Sequence, residues 1–314
     1  MKILTLLLVL AVIFSPLSAQ IPVKHDVLKA LGDIPAPPAS AAEAFTRVTV
    51  DMTPSPPVVS AAALFATAES VVQAAEDAYK SQEPAMKNAV PPGVNPDMAR
   101  LAQDPEFKKK MKSMSKEERM KLALSMMSAG GSPGTTTLKP DPPEVQAALA
   151  EWQKLAADMQ TEFERGAAFQ KTVIALAEAD ERSHEAIRTW EEGAIAALPR
   201  ISSGEMDAPD PAKVKLVRLQ GADKHIAAAS RHLVALAKEW TAWRDHVRSR
   251  YATFSAKLIA AEYAAGSPNF SSQKILSDGQ MAMLKDVASL GSLSRDAYES
   301  AASWVARKHA IERE

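Results

Sequence analysis

Cysteine is absent from this chain of 314 residues. Its absence excludes disulfide bonds, thiolate metal sites, cysteine nucleophiles and an N-terminal lipid-modified cysteine. The stability of the fold must therefore come from side-chain packing.

Sequence signatures of enzymes are also missing. The chain has no Gly-x-Ser-x-Gly nucleophile motif, no glycine-rich phosphate loop, no His-Glu-x-x-His zinc motif and no dinucleotide-binding fingerprint. We therefore predict that the protein is not an enzyme. The same reasoning gives no catalytic residue and no cofactor.

The chain has almost no excess charge of either sign. It contains 37 Lys and Arg against 38 Asp and Glu, a formal net charge of -1 at pH 7. A basic patch or a strongly positive balance is the usual footprint of a nucleic-acid-binding protein. We therefore predict that no nucleic acid is a partner.

Long apolar runs are confined to the N-terminus. Lys2 precedes an apolar stretch over residues 3–14, and small residues follow as far as Ala19. The run is too short to span a bilayer, which takes about 20 residues, and its layout is typical of a secretory signal peptide. We therefore expect residues 1–19 to be removed, and the mature chain to be exported to the periplasm or the outside of the cell.

Proline is absent from two long stretches. None lies between Pro143 and Pro199, and none between Pro211 and Pro268. Because proline breaks a helix interior, each stretch is compatible with one very long helix. Both stretches open with an aspartate followed by proline, a pattern that favours a helix N-terminus. This predicts two long helices between residues 141 and 265, joined by a short polar connection at 199–210.

Apolar residues recur three and four positions apart along both predicted helices, which places one apolar seam on each. The seam of the first helix includes Val145, Ala148, Trp152, Leu155, Met159, Phe163, Phe169, Val173, Leu176, Ile187 and Trp190. The seam of the second includes Leu219, Ala222, Ile226, Ala229, Leu233, Leu236, Trp240, Trp243, Val247, Tyr251, Phe254 and Leu258. A helix with one apolar stripe must bury it, and a short connection favours an antiparallel partner.

The two turn-edge prolines fix the register of this hairpin. Counting outwards from Pro199 and Pro211 pairs Trp152 with Leu258 and Val173 with Leu236. A third helix, capped near residue 271, continues the apolar spacing to near the C-terminus. The predicted fold is all-α: an elongated, coiled-coil-like antiparallel helical hairpin completed to a three- or four-helix bundle, with a Pro/Ala-rich irregular N-terminal region.

Composition divides the rest of the chain. Of the 21 prolines, 17 precede residue 144. We predict a Pro/Ala-rich irregular segment over 20–59, short helices including a basic, Met-rich stretch over 60–129, a linker over 130–140 and the long helical bundle over 141–314. Residues 45–50 alternate like a strand, but no partner strand is evident within hairpin range.

One group of polar residues suggests a metal site. Glu181 and His184 have the Glu-x-x-His spacing that lets one helix offer two ligands inside a bundle. The hairpin register places His184 near His225, and His232 follows one heptad later. The alternative is a polar layer that fixes helix register. The histidines of the second helix flank its seam, so surface imidazoles that select a partner helix or respond to pH are a third interpretation.

A basic, Met-rich stretch spans residues 108–121. Seven Lys and Arg face two Glu there, with three methionines interleaved. Such a segment suits an anionic membrane surface or an acidic partner, methionines can bind Cu(I), and an amphipathic helix packed on the bundle is the structural alternative.

These features favour a secreted or periplasmic, non-enzymatic helical protein that acts as a spacer, scaffold or docking surface for a protein partner, or that self-associates. Two alternatives remain open: a helical-bundle metal-binding protein that uses Glu181, His184, His225 and His232, and a membrane-surface protein that binds through residues 108–121.

Overall fold

The computed structural model describes residues 26–88, 140–203, 206–262 and 270–314. Its elements are α1 (Val27–Asp33), α2 (Ala41–Arg47), β1 (Thr49–Asp51), β2 (Val58–Ser60), α3 (Ala62–Asn88), α4 (Pro143–Ala157), α5 (Met159–Ala196), β3 (Arg200–Ser203), β4 (Met206–Pro209), α6 (Pro211–Glu262) and α7 (Phe270–Arg313). The predicted all-α bundle is confirmed. None of the helices in these ranges is long and apolar enough to cross a membrane.

The chain forms two compact units. The first contains the described parts of residues 77–152 and 256–280, and the second contains those of 24–76, 153–255 and 281–314. The predicted signal peptide, the basic Met-rich stretch at 108–121 and nearly all of the predicted linker at 130–140 lie outside the described residues.

In the first unit, α4 begins at Pro143, as the aspartate-proline pattern predicts. Val145, Ala148 and Trp152 are buried on one face of the helix. The C-terminal part of α6 runs antiparallel to α4, and the Lys257 ammonium lies 3.0 Å from the Glu151 carboxylate. This pair has the register predicted for Trp152 and Leu258, both of which are buried.

In the second unit, α5 and the first part of α6 pair in the predicted register. Phe169 stacks on Trp243 with ring centroids 5.0 Å apart. Nearer the turn, a Cβ added at Gly221 would lie 2.6 Å from a carboxylate oxygen of Glu191, so glycine leaves room there for the Glu191 side chain to lie against α6. The antiparallel hairpin is thus formed as the spacing of the prolines predicts.

The core of the second unit is built mainly from α6 and α7. The predicted seam positions of α6 from Leu233 to Phe254 are buried, apart from Trp243, which is half-buried. Trp240 is fully buried, and its indole N–H donates to the Leu290 carbonyl of α7 at 2.9 Å. A buried indole needs such a partner, so this bond fixes α6 against α7.

The first long helix is not continuous, contrary to the prediction. A one-residue turn at Asp158, with φ -91° and ψ 10°, separates α4 from α5. In an unbroken helix the Leu155 carbonyl would accept the backbone N–H of Met159. The Arg250 guanidinium of α6 donates to that carbonyl instead, at 3.4 Å, and so satisfies the group that the break leaves free.

The break changes which residues α5 buries. Met159 and Phe163 were predicted to lie on the apolar seam, but they are 51% and 73% exposed. The prediction was wrong for these two, which lie in the first turns after the break at Asp158. Over its 38 residues α5 fully buries only His184, and its seam residues are half-covered.

The connections contain more regular structure than predicted. Within residues 20–59, α1 and α2 are helical, and β1 pairs antiparallel with β2 through Val50 and Val59. The missed partner strand lies beyond a loop rich in proline, which is longer than the tight turns that a hairpin pattern requires. The 199–210 connection is a second antiparallel hairpin, β3 with β4.

Candidate functional site

The structure separates the four residues predicted as metal ligands into two pairs. His184 and His225 are buried, with 6% and 1% of their surface exposed. Glu181 is exposed and His232 half-buried, and these two line a groove beside the buried pair. The sequence interpretation of His225 as a residue flanking the seam is wrong, because its imidazole lies inside the core.

The two buried imidazoles are hydrogen-bonded to each other. Their Nδ1 atoms lie 2.6 Å apart, so one Nδ1 donates and the other accepts. The indole of Trp304, from α7, stacks on both rings at centroid distances of 4.4 Å and 4.0 Å. The imidazole centroids are only 4.9 Å apart, which places them side by side on the same face of the indole. We call these three residues the histidine–tryptophan cluster.

Burial and neighbouring charges set the protonation of the cluster. Burial, followed by the charges of His184, Arg307 and Arg188, lowers the pKa of His225 to about 4, and Asp180 acts in the opposite direction. At neutral pH His225 is therefore uncharged, and its neutral ring can either donate or accept the hydrogen bond to His184. If both imidazoles were protonated, two N–H groups would face each other at the shared contact.

Asp180 connects the cluster to the groove. Its carboxylate lies 3.4 Å from His184 Nε2, within the range of an ion pair. Burial alone would raise the pKa of Asp180, but the neighbouring imidazoles of His184, His232 and His225 outweigh burial and lower it. Asp180 is therefore ionised at neutral pH.

The cluster geometry does not match the predicted metal site. Within the ranges that the structure describes, no group of three or more His, Cys, Asp or Glu side chains is arranged to hold a metal ion. Two imidazoles bound to one tetrahedral zinc ion would have their ligating nitrogens about 3.3 Å apart. The 2.6 Å contact between the Nδ1 atoms is a hydrogen bond and leaves no place for an ion between them.

A groove of about 380 Å³ lies between α5, α6 and α7. We call it the acidic groove. Its apolar wall includes Val173, Leu233 and Leu236, two of which form the Val173–Leu236 pair predicted from the hairpin register. Its polar lining includes Asp180, Glu181, Asp296, His184, His232 and Arg188.

The charges of the acidic groove are unbalanced. Three carboxylates line it, and the guanidinium of Arg188 is already paired with Glu185 outside the lining, at 3.0 Å. Among the described residues, neither Glu181 nor Asp296 has an ion-pair partner. The groove therefore presents uncompensated negative charge next to an apolar wall.

One flank of α5 leads into the acidic groove. Residues spaced three, four or seven apart lie along it, and each is exposed. We call this surface the docking flank; it consists of Met159, Phe163, Gln170, Ile174, Ala177 and Glu181. Phe163 and Ile174, at 73% and 55% exposure, make it the most apolar exposed strip of the helix.

A second, partly buried polar network lies at the other end of α5. Glu162 accepts from Arg250 and His246, both at 2.7 Å. Next to it, the Tyr251 hydroxyl donates to Asp286 at 3.0 Å, and burial raises the pKa of both groups. These contacts join α5, α6 and α7, so we assign this network a structural role.

Sequence reasoning did not identify the contributions of α7. The sequence patterns assign neither Trp304 nor Asp296 a role in a site. The hairpin register fixes α5 against α6, but nothing comparable fixes α7 against them. The available signal was that Asp296, Ser300 and Trp304 are spaced four apart, on one face of a helix.

Comparison with known protein families, curated proteins and solved structures finds no match for this chain.

Proposed function

We propose that this protein is an exported, non-enzymatic helical bundle that binds a helix of a protein partner along the docking flank and into the acidic groove. The observation that carries the proposal is the poor coverage of α5. A 38-residue helix that fully buries one residue while exposing Phe163 and Ile174 has an apolar face without a partner among the described residues of its own unit. Exposed apolar strips of this kind are typical of protein interaction sites.

The charge of α5 favours a basic partner. The helix carries eight carboxylates and four cationic side chains, a net charge of -4. The cations Arg182 and Arg188 pair with Glu178 and Glu185 of the same helix. An amphipathic helix with apolar residues for the docking flank and basic residues for the groove would complement both features.

Photocross-linking of the full chain tests this proposal. Benzoylphenylalanine replaces Phe163 or Ile174 in turn, and Ala175, which is exposed one position away on another face of α5, is the control site. We expect both flank positions, and not the control, to form an adduct with the same polypeptide in extracts of the producing cells. An adduct of two copies of this chain would instead indicate self-association.

Binding of the purified adduct partner then decides the role of the flank. Phe163→Ser combined with Ile174→Ser should weaken binding by roughly tenfold or more, because both side chains would be buried in the complex. The matched change Ala175→Ser should leave the affinity unchanged. If neither flank position forms an adduct above the control, the proposed docking surface is wrong.

A further inference from the structure

We propose that the acidic groove is a binding site for an aliphatic ammonium group, and that its occupant is a lysine side chain of the docked helix. The inference rests on the proposed function and adds to it the chemistry of one partner residue. Three observations support it: an unbalanced cluster of carboxylates, a buried imidazole nitrogen without a hydrogen-bond partner, and an apolar wall that suits a hydrocarbon stem.

The carboxylates select a cation. Asp180, on the groove floor, and Glu181 and Asp296, on its rim, converge on one volume of about 380 Å³. Within the described part of the chain only Asp180 is in ion-pair range of a basic group, through His184 at 3.4 Å. An ammonium ion placed here would gain a direct partner and would offset the repulsion among the three carboxylates.

The buried imidazole supplies a second contact. His184 lines the groove with 6% of its surface exposed, and its Nε2 has no hydrogen-bond partner of suitable geometry among the described residues. The proposed site uses the tautomer in which His184 Nδ1 donates to His225, so Nε2 is an acceptor and its 3.4 Å contact with Asp180 is not a hydrogen bond. An ammonium N–H can donate to it while a second N–H donates to Asp180. A hydroxyl or a carboxylate in the same place would lack one of these donors or would repel Asp180.

The apolar wall suits the stem of lysine. Val173, Leu233 and Leu236 line the side of the groove next to the polar end. Lysine places four methylene groups before its ammonium, and these pack on apolar surface while the charge reaches polar partners. Arginine would need planar, bidentate acceptors, whereas Asp180 and His184 offer two separate single acceptors.

Titration with n-butylammonium, which reproduces the lysine side chain beyond its Cα, tests the proposal on the full chain. Imidazole and indole nitrogen signals of the labelled protein report binding at the cluster. We expect saturable binding that is roughly tenfold or more tighter than that of n-butanol or butyrate. Equal affinity for the alcohol and the ammonium ion would overturn the assignment.

Matched variants locate the site. Asp180→Asn and Asp296→Asn should each weaken n-butylammonium binding several-fold, because each removes a carboxylate of the groove. Asp223→Asn removes one negative charge from α6 outside the groove lining and should change nothing. The exposed position of Asp296 protects the test against misfolding. If both groove variants bind as the native chain does, the site is not in the groove.

A diamine distinguishes the source of the ammonium group. If a partner lysine is the natural occupant, 1,5-diaminopentane should bind within about threefold of n-butylammonium. Affinity more than roughly thirtyfold higher would identify a free diamine as the ligand and overturn the lysine assignment. These titrations contain no partner protein, so a failure here leaves the cross-linking result intact, and a missing adduct leaves the titration result intact.

Discussion

At the scale of single residues, His225 shows how position decides chemistry. Its sequence neighbours place it beside the apolar seam of α6, yet the stacking of Trp304 and the contact with His184 enclose it completely. An enclosed imidazole is held in its neutral form because the charged form loses hydration. The free energy of unfolding therefore depends on whether this histidine pair is protonated.

We predict that the protein loses stability as the pH falls from 6.5 to about 4. The pKa of His225 is lowered to about 4 in the folded chain, whereas an unfolded histidine has the usual value of 6.5. The stability that neutral His225 contributes is complete above pH 6.5. It is lost between pH 6.5 and about 4, where this histidine is protonated in the unfolded chain but not in the folded chain. The linkage amounts to about 3 kcal/mol of unfolding free energy. Denaturant unfolding at several pH values measures it.

His225→Gln provides the comparison for that experiment. Other groups titrate in the same range in both proteins, so the informative quantity is the difference in unfolding free energy between native chain and variant. This difference should shrink steadily between pH 6.5 and 4. A difference that stays constant or grows over the same range would contradict the protonation state assigned to the cluster.

Arg250 donates to the Leu155 carbonyl beside the break between α4 and α5. Its side chain is 10% exposed and lies 2.7 Å from Glu162. Arg250→Ala should destabilise the fold by about 3 kcal/mol, since it removes the least exposed of the three basic partners of Glu162 and leaves the Leu155 carbonyl without a donor. The control is Arg182→Ala, which removes a pair 71% and 61% exposed and should cost under about 1 kcal/mol. Thermal or denaturant unfolding compares the two.

At the scale of elements, α5 and α6 differ in how far packing constrains them. Phe163 of α5 is 73% exposed, and Phe254 of α6 is fully buried. Phe254→Ala should cost about 3 to 5 kcal/mol of unfolding free energy, because it leaves a cavity in the core. Phe163→Ala should change stability by less than about 0.5 kcal/mol. A loss of more than 1 kcal/mol at Phe163 would mean that the flank is already covered in the free protein.

The helical hairpin is also where sequence reasoning was most successful. Two proline positions and a constant rise per residue determine which residues of α5 and α6 face each other, and the pairing of His184 with His225 follows from them. The break at Asp158 could not be predicted in the same way. The side chain that satisfies it, Arg250, lies far along the chain, and no proline or glycine marks the position.

The composition of the site was predictable only in part. Glu181, His184, His225 and His232 were identified from spacing, and the structure does bring them to one region. Their arrangement as a hydrogen-bonded pair beside a groove depends on Trp304 and Asp296, which α7 supplies. Because the sequence contains no marker of the register between α7 and the hairpin, the metal hypothesis was formulated without the residues that complete the site.

At the scale of the whole molecule, the charge of α5 differs from the charge of the chain as a whole. The chain as a whole is nearly neutral, with a formal net charge of -1. The helix that carries the docking flank has a net charge of -4. Attraction of a basic helix must therefore come from the field of α5 and the groove. Salt largely screens this attraction beyond a Debye length, about 8 Å at physiological ionic strength.

This distribution predicts how partner binding depends on salt. Raising NaCl from about 0.05 M to 0.5 M should slow association with the basic partner roughly tenfold, because screening removes the steering field. Dissociation should change much less, since the apolar contacts of the docking flank are insensitive to screening. Asp180→Asn combined with Asp296→Asn should flatten the salt dependence of the association rate, and Asp223→Asn should retain it. Surface plasmon resonance resolves both rates. If salt acted mainly on dissociation, or equally on all three proteins, the acidic groove would not be the source of the attraction.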